Sequence, residues 1–435
     1  MTTAHPFPEV FLHYIWKLKL FDFKELKTTA DETVELVNVG THNHDTGPDF
    51  SNARIRIGGT LWAGSVEIHK KSSDWLVHQH QKDKAYNNTI LHVVYEHDQH
   101  IYRMDGTPIP TLELKNKIPN QYLQRYWELS STNPQKIPCE HRFFAVSARV
   151  KRLWLERLVI ERLEDKTLEI RKSLEQTQNN WEETFYRFLA RNFGAKQNST
   201  AFEALAKSLP LRVVAKHKNN LFQLEVLLLG QAGFLSELET KKTSDVYWIG
   251  LQKEYHFLAK KYQLIPLKAS SWQFGRMRPA NFPTIRLAQF AVLIQQSTHL
   301  FSKILLESKA KDLRKMFLIH LNGYWMNHYR LGEESPKRKK SLGSGTVNLI
   351  LMNTIAPFLF VYGDYKGIEA YKERAVELLQ TIPPEQNSII ANWQNLGMVT
   401  DSAQDTQALL QLKKKYCDSK RCLSCSIGHA ILQMD

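Results

Sequence analysis

Apolar residues recur at helical spacing over residues 8–21, where Val10, Phe11, Tyr14, Ile15, Leu18 and Phe21 predict an amphipathic helix. The pattern then switches to period two. "ETVELVNVG" (32–40) predicts a strand ending in glycine. Ala53, Ile55 and Ile57 alternate with Arg54 and Arg56, and Gly58-Gly59 supplies a hairpin turn into the return strand "TLWAGSVEIHK" (60–70). "SSDWLVHQHQKDKAY" opens with serines able to cap a helix, with Asp74 in its first turn. "TILHVVYEHD" (89–98) is a further strand, extended by "HIYRM" and "TLELK". Helix, three strands, helix, strand is the order of an α/β domain, expected over residues 1–130.

A linker, "STNPQKIPCEHRF", follows, and residues 131–149 carry Cys139. From residue 150 to 435 the period is helical almost throughout. "VKRLWLERLVIERLEDKTLEIRKSLEQ" is a long amphipathic helix laced with acid–base pairs, and "NWEETFYRFLARNFG" and "AFEALAKSLP" each close on Gly or Pro. The expected architecture is therefore an α/β domain followed by a large, mostly α-helical domain ending in a cysteine cluster. The apolar run 347–363 is broken by Asn353, Thr354 and Pro357, which predicts a buried helix too short to span a bilayer. With no secretory leader pattern at the N-terminus, the expected location is cytoplasmic, with no membrane partner. "EESPKRKKSLGSG" (333–345) is polar and basic, the segment most ready for disorder.

Charge adds a partner class. Fifty-eight Lys and Arg against 44 Asp and Glu in 435 residues give a formal net charge of +14. That balance favours an anionic partner, nucleic acid (DNA or RNA) being the commonest. "WQFGRMRPANFPTIR" combines Arg276, Arg278 and Arg286 with Trp272 and Phe274, a mixture suited to phosphates and exposed bases. Lys337, Arg338, Lys339 and Lys340 form a second basic stretch.

The hairpin carries the candidate chemistry. Asp49 stands at its mouth, and Glu67 and His69 share one face of the return strand because residues two apart do. Counting from the turn pairs residues 50–57 with 60–67 and brings Asp49 near Glu67. Two carboxylates so placed suit Mg²⁺ or Mn²⁺. Nearby, "THNHDTGPD" holds His42 and His44, and "WLVHQHQKDKAY" holds His78, His80, Asp83 and Tyr86. His-x-His spacing suits zinc or iron, although His78 and His80 diverge if they lie on a helix.

Pro48-Asp49 and Glu67-Ile68-His69, in this order on these elements over residues 8–98, resemble the PD-(D/E)XK nuclease superfamily. The resemblance implies that Asp49 and Glu67 hold the metal. It puts His69 in the place of the lysine that orients and deprotonates the attacking water, and Glu9 in that of an acid some branches use. Glu-x-His stands where that superfamily has Glu-x-Lys, and Lys70 lies on the opposite strand face unless a bulge re-aims it. The whole chain also resembles a bacterial family known as domain of unknown function 2851, through "GPDFSNARIRI", "VEIHKKSSDW", "RPANFPTIR" and "YCDSKRCLSCSIG".

Cys417, Cys422 and Cys425 have the spacing Cys-x4-Cys-x2-Cys, and Cys139 completes four. Four thiolates suit an iron–sulfur cluster or structural zinc, with His141 or His429 able to replace a missing thiol. The leading functional expectation is a metal-dependent nuclease. The alternatives are an inactive nucleic-acid-binding scaffold that keeps the nuclease fold, and a His/Asp metallohydrolase acting on a small molecule.

Overall fold

A computed structural model of the chain describes residues 7–43, 45–131, 136–236, 245–297 and 299–434. The chain forms two compact units, residues 1–154 with 412–435, and residues 155–411.

In the first unit, helix α1 (Glu9–Lys17) precedes strands β1 (Val34–Asn38), β2 (Thr41–His42), β3 (Phe50–Ile57) and β4 (Thr60–Lys71). A single turn, α2 (Asp74–Val77), leads through two short 3₁₀ turns to β5 (Thr89–Glu96). Strand β6 (Thr111–Glu113) and helix α3 (Asn120–Ser131) follow. The sheet runs β1-β3-β4-β5-β6, with β2 also on β3. β3 and β4 are antiparallel, whereas β4, β5 and β6 are mutually parallel. The unit is thus α/β with a mixed sheet. Residues Thr89–Val94 of β5 are buried without interruption, as suits a strand with parallel neighbours on both edges. α1 packs on β4 and buries Phe11, Leu12, Ile15 and Trp16, while Val10, expected on the apolar face, is exposed.

The β3–β4 register holds a detail that simple counting misses. Ile57 pairs with Thr60 and Ala53 with Gly64, but Phe50 pairs with Val66. One extra residue is accommodated in β3, and Asn52 takes a left-handed φ of 57° there. Unbroken pairing would set Phe50 opposite Glu67. The bulge instead sets Asp49 opposite Glu67, on the same face.

Residues 412–435 belong to this unit, where the helical period had assigned them to the helical domain. Their helix Ser426–Leu432 buries Ile427, Ile431 and Leu432 and packs against α3. Arg125 Nη1 donates to the Leu432 carbonyl at 3.2 Å, and the Tyr14 hydroxyl meets His429 Nδ1 at 2.9 Å.

The second unit is helical, as expected. Helices Trp181–Phe193 and Ala195–Ser208 form one adjacent pair, and Ala356–Lys366 and Glu369–Gln380 another. The apolar run at 347–363 belongs to one continuous helix, Ser344–Lys366, which at 23 residues is long enough to cross a membrane by length and composition. The expectation that it is too short is therefore corrected. A π-turn at Leu351–Ile355 absorbs Asn353 and Thr354, and loosens the ladder just ahead of Pro357. Two-thirds of its apolar window is buried inside the protein (67%), as a core helix requires. The basic stretch 333–345 is ordered rather than loose. It contains two short strands and is pinned by Lys340, which is buried and donates to the Trp325 and Met326 carbonyls at 2.6 and 2.9 Å.

Candidate metal centre

The two hairpin acids are locked to each other's backbone. Asp49 N–H donates to Glu67 Oε2 at 3.0 Å, and Ile68 N–H donates to Asp49 Oδ2 at 2.9 Å. Glu67 is 5% exposed, and burial raises its pKa against the opposing pull of His80, with the Asp49 charge raising it further. A carboxylate in that setting calls for a cation.

Imidazoles surround its free oxygen. Glu67 Oε1 lies 3.6 Å from His69 Nε2 and 3.3 Å from His80 Nε2, the latter buried and badly directed for a hydrogen bond. His69, His78 and His80 each bring a ring nitrogen within 4.8 Å of the others'. His69 Nε2 meets His78 Nδ1 at 3.0 Å, and on its other side His69 Nδ1 meets His92 Nε2 at 2.8 Å. Burial, and then neighbouring imidazoles, push the His69 pKa down to about 2 and lower that of His92. Both rings are therefore neutral at physiological pH and keep a lone pair for a ligand.

Local backbone chemistry explains why His78 and His80 converge, correcting the expectation that they would diverge on a helix. The helix stops at Val77 and His78 caps it. Gln79 then turns through a left-handed φ of 60°, and His80 opens a new turn pointing back to β4. Tyr86 stacks on His80 at 3.8 Å between centroids, and Trp75 meets His80 edge-on at 5.3 Å. Burial pushes the Tyr86 hydroxyl up to about 12, so it serves as a neutral wall. Asp83 is exposed and caps the following turn, accepting from Ala85 N–H at 2.9 Å, outside the cluster.

A second group adjoins the acids from α1: Glu9, expected from the sequence, and His13, which sequence reasoning missed. His13 Nε2 lies 3.2 Å from Asp49 Oδ2. Burial lowers the His13 pKa, but the Asp49 contact and the charges of Asp49 and Glu9 outweigh it and raise the value overall. Glu9, one helical turn before His13, is pushed up to about 7 by burial, against His13 and with the help of Asp49 and Glu67. The Glu9–His13 spacing of four residues on the polar face of α1 was the available signal. For His92 the signal was a lone polar residue inside the apolar run "TILHVVY".

The other expected residues fall elsewhere. Lys70 continues β4 on the face opposite Glu67 and His69. His42 stacks on Phe50 and meets His13 edge-on, and His44 lies outside the described residues. Arg276 and Arg278 are exposed on the helical unit. Arg286 is 7% exposed, donates to Gln289, Asn281 and Thr346, and is pushed down to about 10 by burial. Trp272 is buried with its indole N–H on the Ala232 carbonyl at 2.8 Å, so it presents no open ring for a base. Cys139, Cys417, Cys422 and Cys425 are all buried in the first unit with free thiols. His141 is exposed beside Glu140, and His429 is engaged by Tyr14.

Chemically, the site offers three imidazole nitrogens to a single ion, with the Glu67 carboxylate beside His69 and His80 and an acid–base pair, Glu9 and His13, adjoining it. Imidazole donors suit Zn²⁺ or Fe²⁺ better than Mg²⁺. No curated protein and no solved structure matches this chain. A family model does, over residues 9–388, and the chain belongs to the family it describes, protein of unknown function (DUF2851).

Proposed function

We propose that the first unit is a metal-dependent phosphodiesterase of nuclease type, with a transition-metal ion held by Glu67, His69, His78 and His80. The observation that carries this reading is the convergence of Glu67 Oε1 with the ring nitrogens of His69 and His80, beside a second carboxylate and an acid–base pair. An ion there would supply Lewis acidity toward a phosphoryl oxygen and offset the charge of the two acids. Asp49 orients the site by tying β3 to β4 and by holding His13. His13 and Glu9 exchange a proton near neutral pH, one accepting it from the attacking water and returning it to the leaving alkoxide. The order of elements and the Pro-Asp and Glu-x-His placement support a PD-(D/E)XK relationship, with imidazoles taking the ion in place of a purely oxygen-lined Mg²⁺ site. The +14 charge supports a polyanionic substrate.

The test is cleavage of single- and double-stranded DNA and RNA by wild type, Glu67→Gln and His80→Ala, with Mg²⁺, Mn²⁺, Zn²⁺ or chelator. Cleavage that needs Mn²⁺ or Zn²⁺ and disappears in both variants is expected. Salt-sensitive binding without cleavage in all three would favour the scaffold reading. Hydrolysis confined to a small phosphodiester would favour the small-molecule metallohydrolase reading, for which the imidazole group is the supporting observation.

A further inference from the structure

Helix Leu221–Gln231 of the second unit reads "LFQLEVLLLGQ", and Glu225 is its one charged residue. The helix buries that carboxylate along with its leucines, leaving Glu225 3% exposed. Both oxygens accept from neutral donors. The Tyr247 hydroxyl donates to Oε2, and the Trp325 indole N–H donates to Oε1 at 2.9 Å. Among the described residues no Lys, Arg or His forms an ion pair with it. Lys340, which reaches the Trp325 backbone, directs its ammonium to the Trp325 and Met326 carbonyls instead. Two neutral dipoles do not offset a full buried charge. Burial accordingly pushes the Glu225 carboxyl up to about 7, against the pull of both donors.

Glu225 lines a cavity of about 400 Å³ inside this unit, a volume within the range of small-molecule sites. Phe222 and Tyr247 stand edge-to-face beside it, 5.9 Å between centroids. Tyr247 also stacks on Tyr324 at 4.3 Å, and Tyr324 carries His328 on its other face at 3.8 Å. The stacked rings cover one another, so they wall the cavity without wrapping it in open faces. Exposed amides of Gln295, Gln296 and Asn322 line the same cavity and can accept N–H groups.

We infer that this cavity binds a small organic amine as its primary ammonium ion, with the nitrogen at Glu225 and the apolar stem against Phe222 and Tyr247. The unpaired buried carboxylate selects a cation. Each of its oxygens keeps a second lone pair for an N–H of the guest. The covered ring faces select N–H donors over methyl groups, because a quaternary ammonium depends on open aromatic faces. Aromatic walls offer a bare metal ion little to replace its water.

The experiment is calorimetric titration of the full-length protein at about pH 8, where the Glu225 carboxyl is ionised and an alkylamine is still protonated. The probes are pentylamine, its neutral counterpart 1-pentanol, and pentyltrimethylammonium. Pentylamine should bind saturably, with the trimethylated ion and the alcohol each about 10-fold weaker or more. Glu225→Gln should weaken pentylamine about 10- to 100-fold, as expected for a lost charge-assisted hydrogen bond. Asn322→Trp, a substitution at an exposed position of the cavity, should weaken it as well. Glu67→Gln should leave it unchanged, so failure here and failure of the hairpin reading are distinguishable. Equal binding of alcohol and amine would make the cavity a plain apolar crevice and overturn the inference. So would tighter binding of the trimethylated ion, no saturable binding of pentylamine, or full affinity in a folded Glu225→Gln. The three probes on wild type, with Asn322→Trp, decide even if Glu225→Gln does not fold.

Discussion

At the scale of single residues, the site combines acids visible in the sequence with partners that were not. Asp49 and Glu67 could be read from strand alternation and a Gly-Gly turn. His92 could not, because nothing local says that a buried strand histidine will meet His69 on the neighbouring strand at 2.8 Å. In the proposed site that contact would fix which His69 nitrogen faces the ion, as outer partners of metal-binding histidines do. His92→Leu should therefore weaken Mn²⁺ or Zn²⁺ binding roughly 10- to 100-fold by calorimetry. An unchanged affinity would mean that His69 does not ligate. Glu9 yields a pH dependence with a definite sign. Its carboxyl titrates at about 7 when folded against 4.5 as a free group, so the folded chain holds this proton more tightly. The stability it contributes is complete below about pH 4.5 and lost as pH rises to about 7. Urea unfolding across that window should show a shallower decline for Glu9→Gln than for wild type. Parallel declines would remove Glu9 from the account.

At the scale of elements, hydrophobic period predicted most strands and helices, but the departures that build the site were hidden. The β3 bulge involves one residue, and a one-residue change of register turns every side chain beyond it to the other face. Without it Asp49 would sit opposite Ile68 and leave Glu67 alone. Asn52 tolerates the left-handed backbone better than most residues, and a β-branched replacement would not. Asn52→Val should cost roughly 1–2 kcal/mol in denaturant unfolding and also weaken metal binding, whereas Asn52→Gly should do neither. If Asn52→Val lost stability but bound metal normally, the bulge would not be what aligns the acids. The break after Val77 is similar in kind. A helical reading of "WLVHQH" is reasonable until Gln79 reverses the chain, and a single left-handed residue leaves no periodic trace.

At the scale of the whole molecule, the helical character of residues 155–411 was plain from period alone, and so was the mixed α/β character of the start. Membership of 412–435 in the first unit was not, since long-range contacts carry no local pattern and Ile427, Ile431 and Leu432 look like any helix face. Ile431 is fully buried, and Ile431→Ala should cost the first unit roughly 2–5 kcal/mol. Hydrogen exchange should then speed up in β3, β4 and β5 while helix Trp181–Phe193 keeps its protection. Equal acceleration in that helix would mean the units do not unfold separately. The divided first unit also has a consequence in time. A ribosome adding about 5–20 residues per second needs tens of seconds to make residues 155–411. Throughout that interval the helical unit can fold while the sheet waits, its hydrophobic seat for Ile431 unfilled. A chain stalled or cut anywhere before residue 412 would thus carry every residue of the hairpin cluster and still lack the segment that completes the body around them.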